Sequence, residues 1–338
     1  MHDWGVWHGR VPFTDHENQH GRFVTEYGFQ SFPQMSTIDA FTDPADRTSI
    51  FTPVMLAHQK NNEGNSIIQD YMLKYYAEPK DFPSFLYASQ VLQAEGIKVG
   101  AEHHRRDRPR TMGSLYWQLN DCWPVASWSS IDYYGNWKAL QYYARRFYAP
   151  LLVSPHIEDD DFTVYVVSDK TAPINADLRI RIMTFDGKVV TEHAQSMRVD
   201  PLSSKIYYAQ AFPEMLGKLG VDPATVFVAA DLAVDGQTVS TNLLYLVPTK
   251  QIHLPPAQID HTLAPTPGKE GSYTLTLSSK TLARSAYITF GAQSVELSDN
   301  YFDLLPNEPR TITITSDSPV DALNKELKII SLADAFTR

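Results

Sequence analysis

Two kinds of hydrophobic spacing divide the chain near residue 155. Before that point apolar residues recur at helical intervals between short extended runs. Residues 137–148 place Ala139, Leu140, Tyr143, Ala144 and Phe147 along one helical face, with Pro150 as the stop. Asp81-Phe82-Pro83 reads as an N-cap with a first-turn proline, opening a helix expected to end near Gly96 or Gly100. Two β-favouring runs accompany these helices: residues 22–27, closed by Gly28, and residues 112–119, entered through Gly113. Strands separated by long helical stretches predict part of a parallel α/β sheet with elaborated loops.

After residue 155 the period drops to two. Leu178, Ile180 and Ile182 alternate with Arg179 and Arg181, the mark of a half-buried strand, and Asp186-Gly187 then turns the chain into a hairpin partner. Asp235-Gly236 repeats the device between residues 226–234 and 238–246. A proline-punctuated linker, 248–256, leads into further alternation at Tyr273, Leu275 and Leu277 and at Ile312 and Ile314. The organisation expected is a mixed α/β region at 1–150, a β-sandwich at 156–248 and a second sandwich at 257–338.

Composition narrows the function classes. Hydrophobic residues make up 43% and aromatics 12%, enough for sizeable cores, and all six tryptophans fall within the first 137 residues. A formal net charge of −10 argues against a general nucleic-acid binder. The basic run Arg105-Arg106-Asp107-Arg108-Pro109-Arg110 reads as a solvated helix end. Cys122 is the single cysteine, so neither an internal disulfide nor a thiolate metal site is available. His103 and His104 are adjacent rather than at ligand spacing, and no metal or cofactor is expected. No apolar run approaches the ~18 residues of a membrane span. Met1-His2-Asp3-Trp4 lacks the features of a signal peptide, and compartment stays open.

Glu26 is the residue with most chemical promise. It ends an extended run before Gly28, and the C-terminal ends of parallel barrel strands hold active sites. A carboxylate there fits a glycosidase nucleophile, a metal ligand or a buried ion-pair partner. The wording around it is more specific than its spacing. Arg22-Phe23-Val24-Thr25-Glu26-Tyr27-Gly28-Phe29-Gln30-Ser31-Phe32-Pro33 resembles the nucleophile segment of glycoside hydrolase family 2, in its β-mannosidase branch. Met112-Gly113-Ser114-Leu115-Tyr116-Trp117-Gln118-Leu119-Asn120-Asp121-Cys122-Trp123-Pro124 resembles that branch's last barrel strand, and Met1 to Gly9 resembles the end of strand six. Asp299-Asn300-Tyr301-Phe302-Asp303-Leu304 is similar to a segment of the family's C-terminal immunoglobulin-like domain.

The resemblance implies the C-terminal part of a (β/α)8 TIM barrel followed by two immunoglobulin-like β-sandwiches. It implies a retaining hydrolase of terminal β-mannosyl residues, acting on β-mannoside oligosaccharides without a cofactor. Glu26 matches the nucleophile and Trp117 the tryptophan flooring the glycone subsite. Trp4, Trp7 and His2 are further candidates for the pocket wall, while Asn120 and Asp121 read as loop-ordering residues. The family's acid/base glutamate lies on strand four, upstream of the nucleophile, yet only 25 residues precede Glu26. Asn61-Asn62-Glu63 carries the right wording but follows the nucleophile, in a turn, and does not qualify. Met1 is then expected to be internal to a longer enzyme whose N-terminal part is the missing partner, and this chain alone to be inactive. The alternatives are a non-catalytic carbohydrate-binding or structural piece, or another family 2 specificity.

Overall fold

The computed structural model describes residues 1–336. Its first third holds three extended segments side by side. Strand β1 (His2–Asp3) pairs parallel with β2 (Glu26–Tyr27), His2 opposite Glu26 and Asp3 opposite Tyr27. On the other side of β2, Val24 bridges Ser114 in parallel, and the amides of Leu115 and Trp117 donate to the carbonyls of Val24 and Tyr27 at 2.9 and 2.8 Å. Residues 112–117 therefore run alongside residues 22–27 in the same direction, both leading towards the same end of the sheet.

The helix Phe82–Arg106 backs this sheet. Asp81 caps it by accepting from the Ser84 amide at 2.8 Å, with Pro83 in the first turn where a missing N–H costs nothing. It does not stop at Gly96 or Gly100. Both glycines serve close packing instead: a Cβ at Gly96 would enter the Phe13 ring, and one at Gly100 would stand 3.1 Å from Tyr27 and 3.2 Å from His16. Residues between Val6 and Phe147, with Trp7, Tyr27, Phe29, Leu92 and Ile97 among them, form one core. The helix Ala139–Phe147 packs on the same layer, beginning at the N-cap Lys138.

The first sandwich consists of β3 (Leu151–Glu158), β4 (Asp161–Ser168), β5 (Ile174–Thr184), β6 (Val189–Val199), β7 (Ser203–Ala211), β8 (Val226–Val234) and β9 (Gln237–Tyr245). Its two antiparallel sheets run β3-β4-β7 and β6-β5-β8-β9. Val153, Phe162, Val164, Leu178, Ile180, Val228 and Leu232 fill the space between them. Asp235 and Gly236 both take positive φ, 51° and 75°, which fits the two-residue turn that matches strand twist. The sandwich begins at Leu151 rather than 156. Residues 151–155 are buried on both faces, so they lack the alternation that marks a half-exposed strand.

The second sandwich has β10 (Ile259–Pro265), β11 (Ser272–Ser279), β12 (Ala283–Thr289), β13 (Glu296–Leu297), β14 (Phe302–Leu304), β15 (Arg310–Thr315) and β16 (Lys328–Ile330). Sheet β10-β11-β15-β13 faces β14-β12-β16 over Leu275, Leu277, Ile288, Phe302 and Ile312.

Arginines tie these units together. Arg105, expected in a solvated run, is buried: it donates to the carbonyls of Phe147 and Ala149 and to Asp169, at 2.6–2.8 Å. Arg106 reaches Ser154 and Glu17, and Arg108 reaches the Ser168 carbonyl and Asp169. A charge run spanning a helix end looks solvated in sequence because its carbonyl and carboxylate partners lie far along the chain. The second sandwich docks through Arg284, which pairs with Glu95 and stacks 4.2 Å from the Tyr245 ring centroid, and through Tyr87 donating to the Ser285 carbonyl at 2.6 Å.

Candidate active site

Glu26 occupies the last turn of the pleat before Gly28, where the backbones of three segments converge. Gly28 has no room for a side chain: a Cβ there would lie 2.5 Å from the Trp117 carbonyl oxygen, 3.1 Å from Trp128 and 3.2 Å from Trp4. Its glycine lets the strand bearing Glu26 approach the strand bearing Trp117, so both side chains emerge at the same end. The Trp117–Gln118 peptide bond is cis.

The Glu26 carboxylate is partly exposed, with a side-chain accessibility of 30%. Trp4 Nε1 donates to its Oε2 at 3.0 Å, and His2 Nδ1 lies 3.4 Å from the same oxygen. One carboxylate oxygen is thereby held while Oε1 remains available. Trp117, on the neighbouring segment, is exposed, as are Leu115 and Leu119 on the same segment. Glu26, Trp4, His2 and Trp117 are thus gathered at one end of the sheet.

Trp7 does not join them. It is fully buried, packed edge-on against Phe29 and Trp128 at 5.2 and 5.4 Å between centroids, so it supports the site from beneath and offers no face to a ligand. Its position in the short helix Gly5–Gly9 turns it inward, a direction the spacing of Trp4 and Trp7 does not reveal. Asp121 orders the loop after Trp117: it is buried and accepts from Ser127, Ser129 and Gln118. Glu63 pairs with Arg10 at 3.0 Å on the surface.

Two features escaped the sequence reading. Trp128 lies edge-on to both Trp4 and Trp7 and touches the Gly28 position, yet it sits in a serine-rich stretch with no periodicity. Asp3 and His16 form a buried pair at 2.6 Å under the sheet. Burial alone would raise the Asp3 carboxyl, but the His16 hydrogen bond and charge and the Gly5 amide outweigh it and hold it below its ordinary value.

A parallel sheet with a carboxylate and aromatic side chains at its C-terminal end, followed by two immunoglobulin-like domains, is the build of a multidomain glycosidase. The Mannosidase Ig/CBM-like domain model matches residues 160–251, and an Ig-fold domain model grouped with mannosidases matches residues 254–335. The chain is 31% identical to a β-mannosidase of Capra hircus over 93% of its length and 27% identical to β-mannosidase B of Aspergillus niger over 93%. The crystal structure of a β-D-mannosidase from Dictyoglomus thermophilum superposes with a TM-score of 0.89 at 27% identity, covering 98% of this chain and 40% of that one. An exo-chitosanase from Amycolatopsis orientalis shares the fold, with a TM-score of 0.74 at 17% identity over 95% of this chain and 44% of its own. This chain belongs to glycoside hydrolase family 2, in its β-mannosidase branch, and corresponds to the C-terminal portion. It spans 38% and 39% of the length of the goat and Aspergillus relatives.

Proposed function

We propose that this chain supplies the nucleophile side of a retaining β-mannoside hydrolase site, with Glu26 as the nucleophile. The observation that carries the reading is a partly exposed carboxylate at the end of a parallel strand, held through one oxygen by Trp4. Oε1 attacks the anomeric carbon, and the bond to the aglycone oxygen breaks with its electron pair leaving on that oxygen. A second carboxyl group ~5–5.5 Å away protonates the departing oxygen, then takes a proton from the water that releases the sugar. Trp4 and His2 hydrogen-bond or pair with Glu26, and the acid/base is assigned to the part of the enzyme that the relatives carry beyond this portion. The face of Trp117 supports the apolar side of the ring and aims the anomeric carbon at Oε1.

The parallel segments are proposed as the last strands of a (β/α)8 barrel. Exposed Met1, Phe23, Met112, Leu115 and Leu119 line them, and the strands that relatives carry N-terminal to this portion would cover these side chains. With the barrel completed, Glu26→Gln should lower turnover of β-mannosides by more than ~10³-fold, the scale of deleting an essential nucleophile. The chain without those strands should turn over an unactivated mannoside at least ~10²-fold more slowly than the completed barrel, the lower bound of what acid–base help contributes. Undiminished turnover by Glu26→Gln would remove Glu26 from the mechanism.

A further inference from the structure

At the opposite end of the sheet from Glu26, three ligand-type side chains from distant parts of the sequence converge. His103 and Asp107 stand four residues apart at the end of the helix Phe82–Arg106, and so project from one side of it. His20 lies just before the strand that carries Glu26. One ligand atom from each lies within 4.8 Å of the others, and His20 Nδ1 is 3.2 Å from Asp107 Oδ1. Tetrahedral bonds of ~2.0–2.1 Å to nitrogen and oxygen place neighbouring ligand atoms about 3.3 Å apart, so this separation already matches a coordination edge.

We propose that His20, His103 and Asp107 form a binding site for a divalent transition-metal ion of the zinc type. One polar atom of each inner ligand is already committed. His103 Nε2 lies 3.0 Å from the Gln19 carbonyl oxygen, to which its N–H donates, leaving the lone pair on Nδ1 for a metal. Asp107 Oδ2 has the Thr111 hydroxyl at 2.7 Å, shared with the Gly21 carbonyl, which leaves Oδ1 facing His20. Such outer contacts fix ring and carboxylate orientation before an ion arrives.

The neighbouring cations do not oppose a metal strongly. Arg105 and Arg108 are both paired with Asp169, and Arg106 with Glu17. Arg110 is turned to the His20 carbonyl oxygen at 3.0 Å. The His20 side chain is 58% exposed, which gives an ion an entry path and leaves outer coordination positions to water. The site pins the segment entering β2 to the helix end. Its role is structural, because it lies at the end of the sheet away from the proposed chemistry. Nothing in the sequence joins these residues: 83 positions separate His20 from His103 (103 minus 20), and His103-His104 draws attention to the wrong pair.

Titration of the chain with Zn²⁺ at pH 7, followed by calorimetry and thermal unfolding, tests the proposal. One ion per chain should bind and raise the melting temperature. His20→Ala and Asp107→Asn, each checked for an unchanged circular dichroism spectrum, should weaken binding by roughly 10- to 100-fold or more. His261→Ala, an exposed histidine of the second sandwich, should bind like the parent and so exclude scattered surface histidines as the source. Absence of stoichiometric binding, or binding unaltered in both His20→Ala and Asp107→Asn, would leave an ordinary histidine–aspartate hydrogen bond and overturn the site.

Discussion

At the scale of single residues, Gly28 decides whether the candidate site exists. A methyl group there would sit 2.5 Å from the Trp117 carbonyl, closer than any ordinary carbon–oxygen contact, and that oxygen belongs to backbone that cannot rotate aside. Gly28→Ala should therefore spread the strand bearing Glu26 from the strand bearing Trp117. We expect a loss of ~1–3 kcal/mol in unfolding free energy, the usual cost of overpacking, measurable by chemical denaturation. An unchanged midpoint would show that the two segments are not held together at this point. Trp4 is the complementary residue, since its indole N–H fixes one oxygen of Glu26 without competing for the other. The placement of Glu26 and Trp117 on neighbouring extended segments was legible because long, specific motifs contain them. Trp7 was misread as a pocket residue, and Trp128 missed, because the direction of an aromatic side chain in a short helix or loop is set by packing partners that local spacing does not encode.

At the scale of elements, the alternation of β5 and the Asp-Gly turns made the sandwiches readable, since one face of each strand meets water and the other the core. Three elements concealed themselves for definite reasons. The long helix passes through Gly96 and Gly100 because Phe13, Tyr27 and His16 need the space, which overrides the usual reading of glycine as a stop. Strand β3 lost its alternation because both faces are covered. Arg105 looked solvated because its acceptors lie at residues 147, 149 and 169.

The contact between the helix end and β3 also contains a pH-sensitive group. Burial, then the charges of Arg106 and His103, push the His156 imidazole down to about 3 from its ordinary 6.5. At 3.5 Å from Glu17 it is a neutral partner near pH 7, not half of an ion pair. The unfolded chain takes up this proton below about 6.5 while the folded chain resists until about 3, so stability is complete above 6.5 and declines as pH falls between those values. Glu17, raised by burial, binds its proton more readily when folded, so the stability it gains as pH falls towards its ordinary 4.5 partly offsets the loss. His156→Asn should flatten the acid side of the stability profile between pH 6.5 and 5, read by denaturant titration at each pH. A profile identical to the parent's would assign the acid sensitivity elsewhere.

At the scale of the whole molecule, two kinds of surface meet. The sandwiches bury their own cores and dock onto the helical layer through Arg105, Arg106 and Arg284. The parallel segments leave Phe23, Leu115, Trp117 and Leu119 exposed along the sheet, and the chain spans 38% of the goat relative's length. Among the described residues no helix is long and apolar enough to cross a membrane. Under the proposed function, the parallel segments present Glu26 to a β-mannoside inside a completed barrel. Covalent trapping tests this most directly. The barrel-complete protein would be reacted with an activated aryl β-mannoside whose glycosyl-enzyme hydrolyses slowly, and the digest mapped by mass spectrometry. The account predicts one hexosyl ester, on the peptide containing Glu26, and none in Glu26→Gln. An ester on a different carboxylate, or the same labelling in Glu26→Gln, would contradict it.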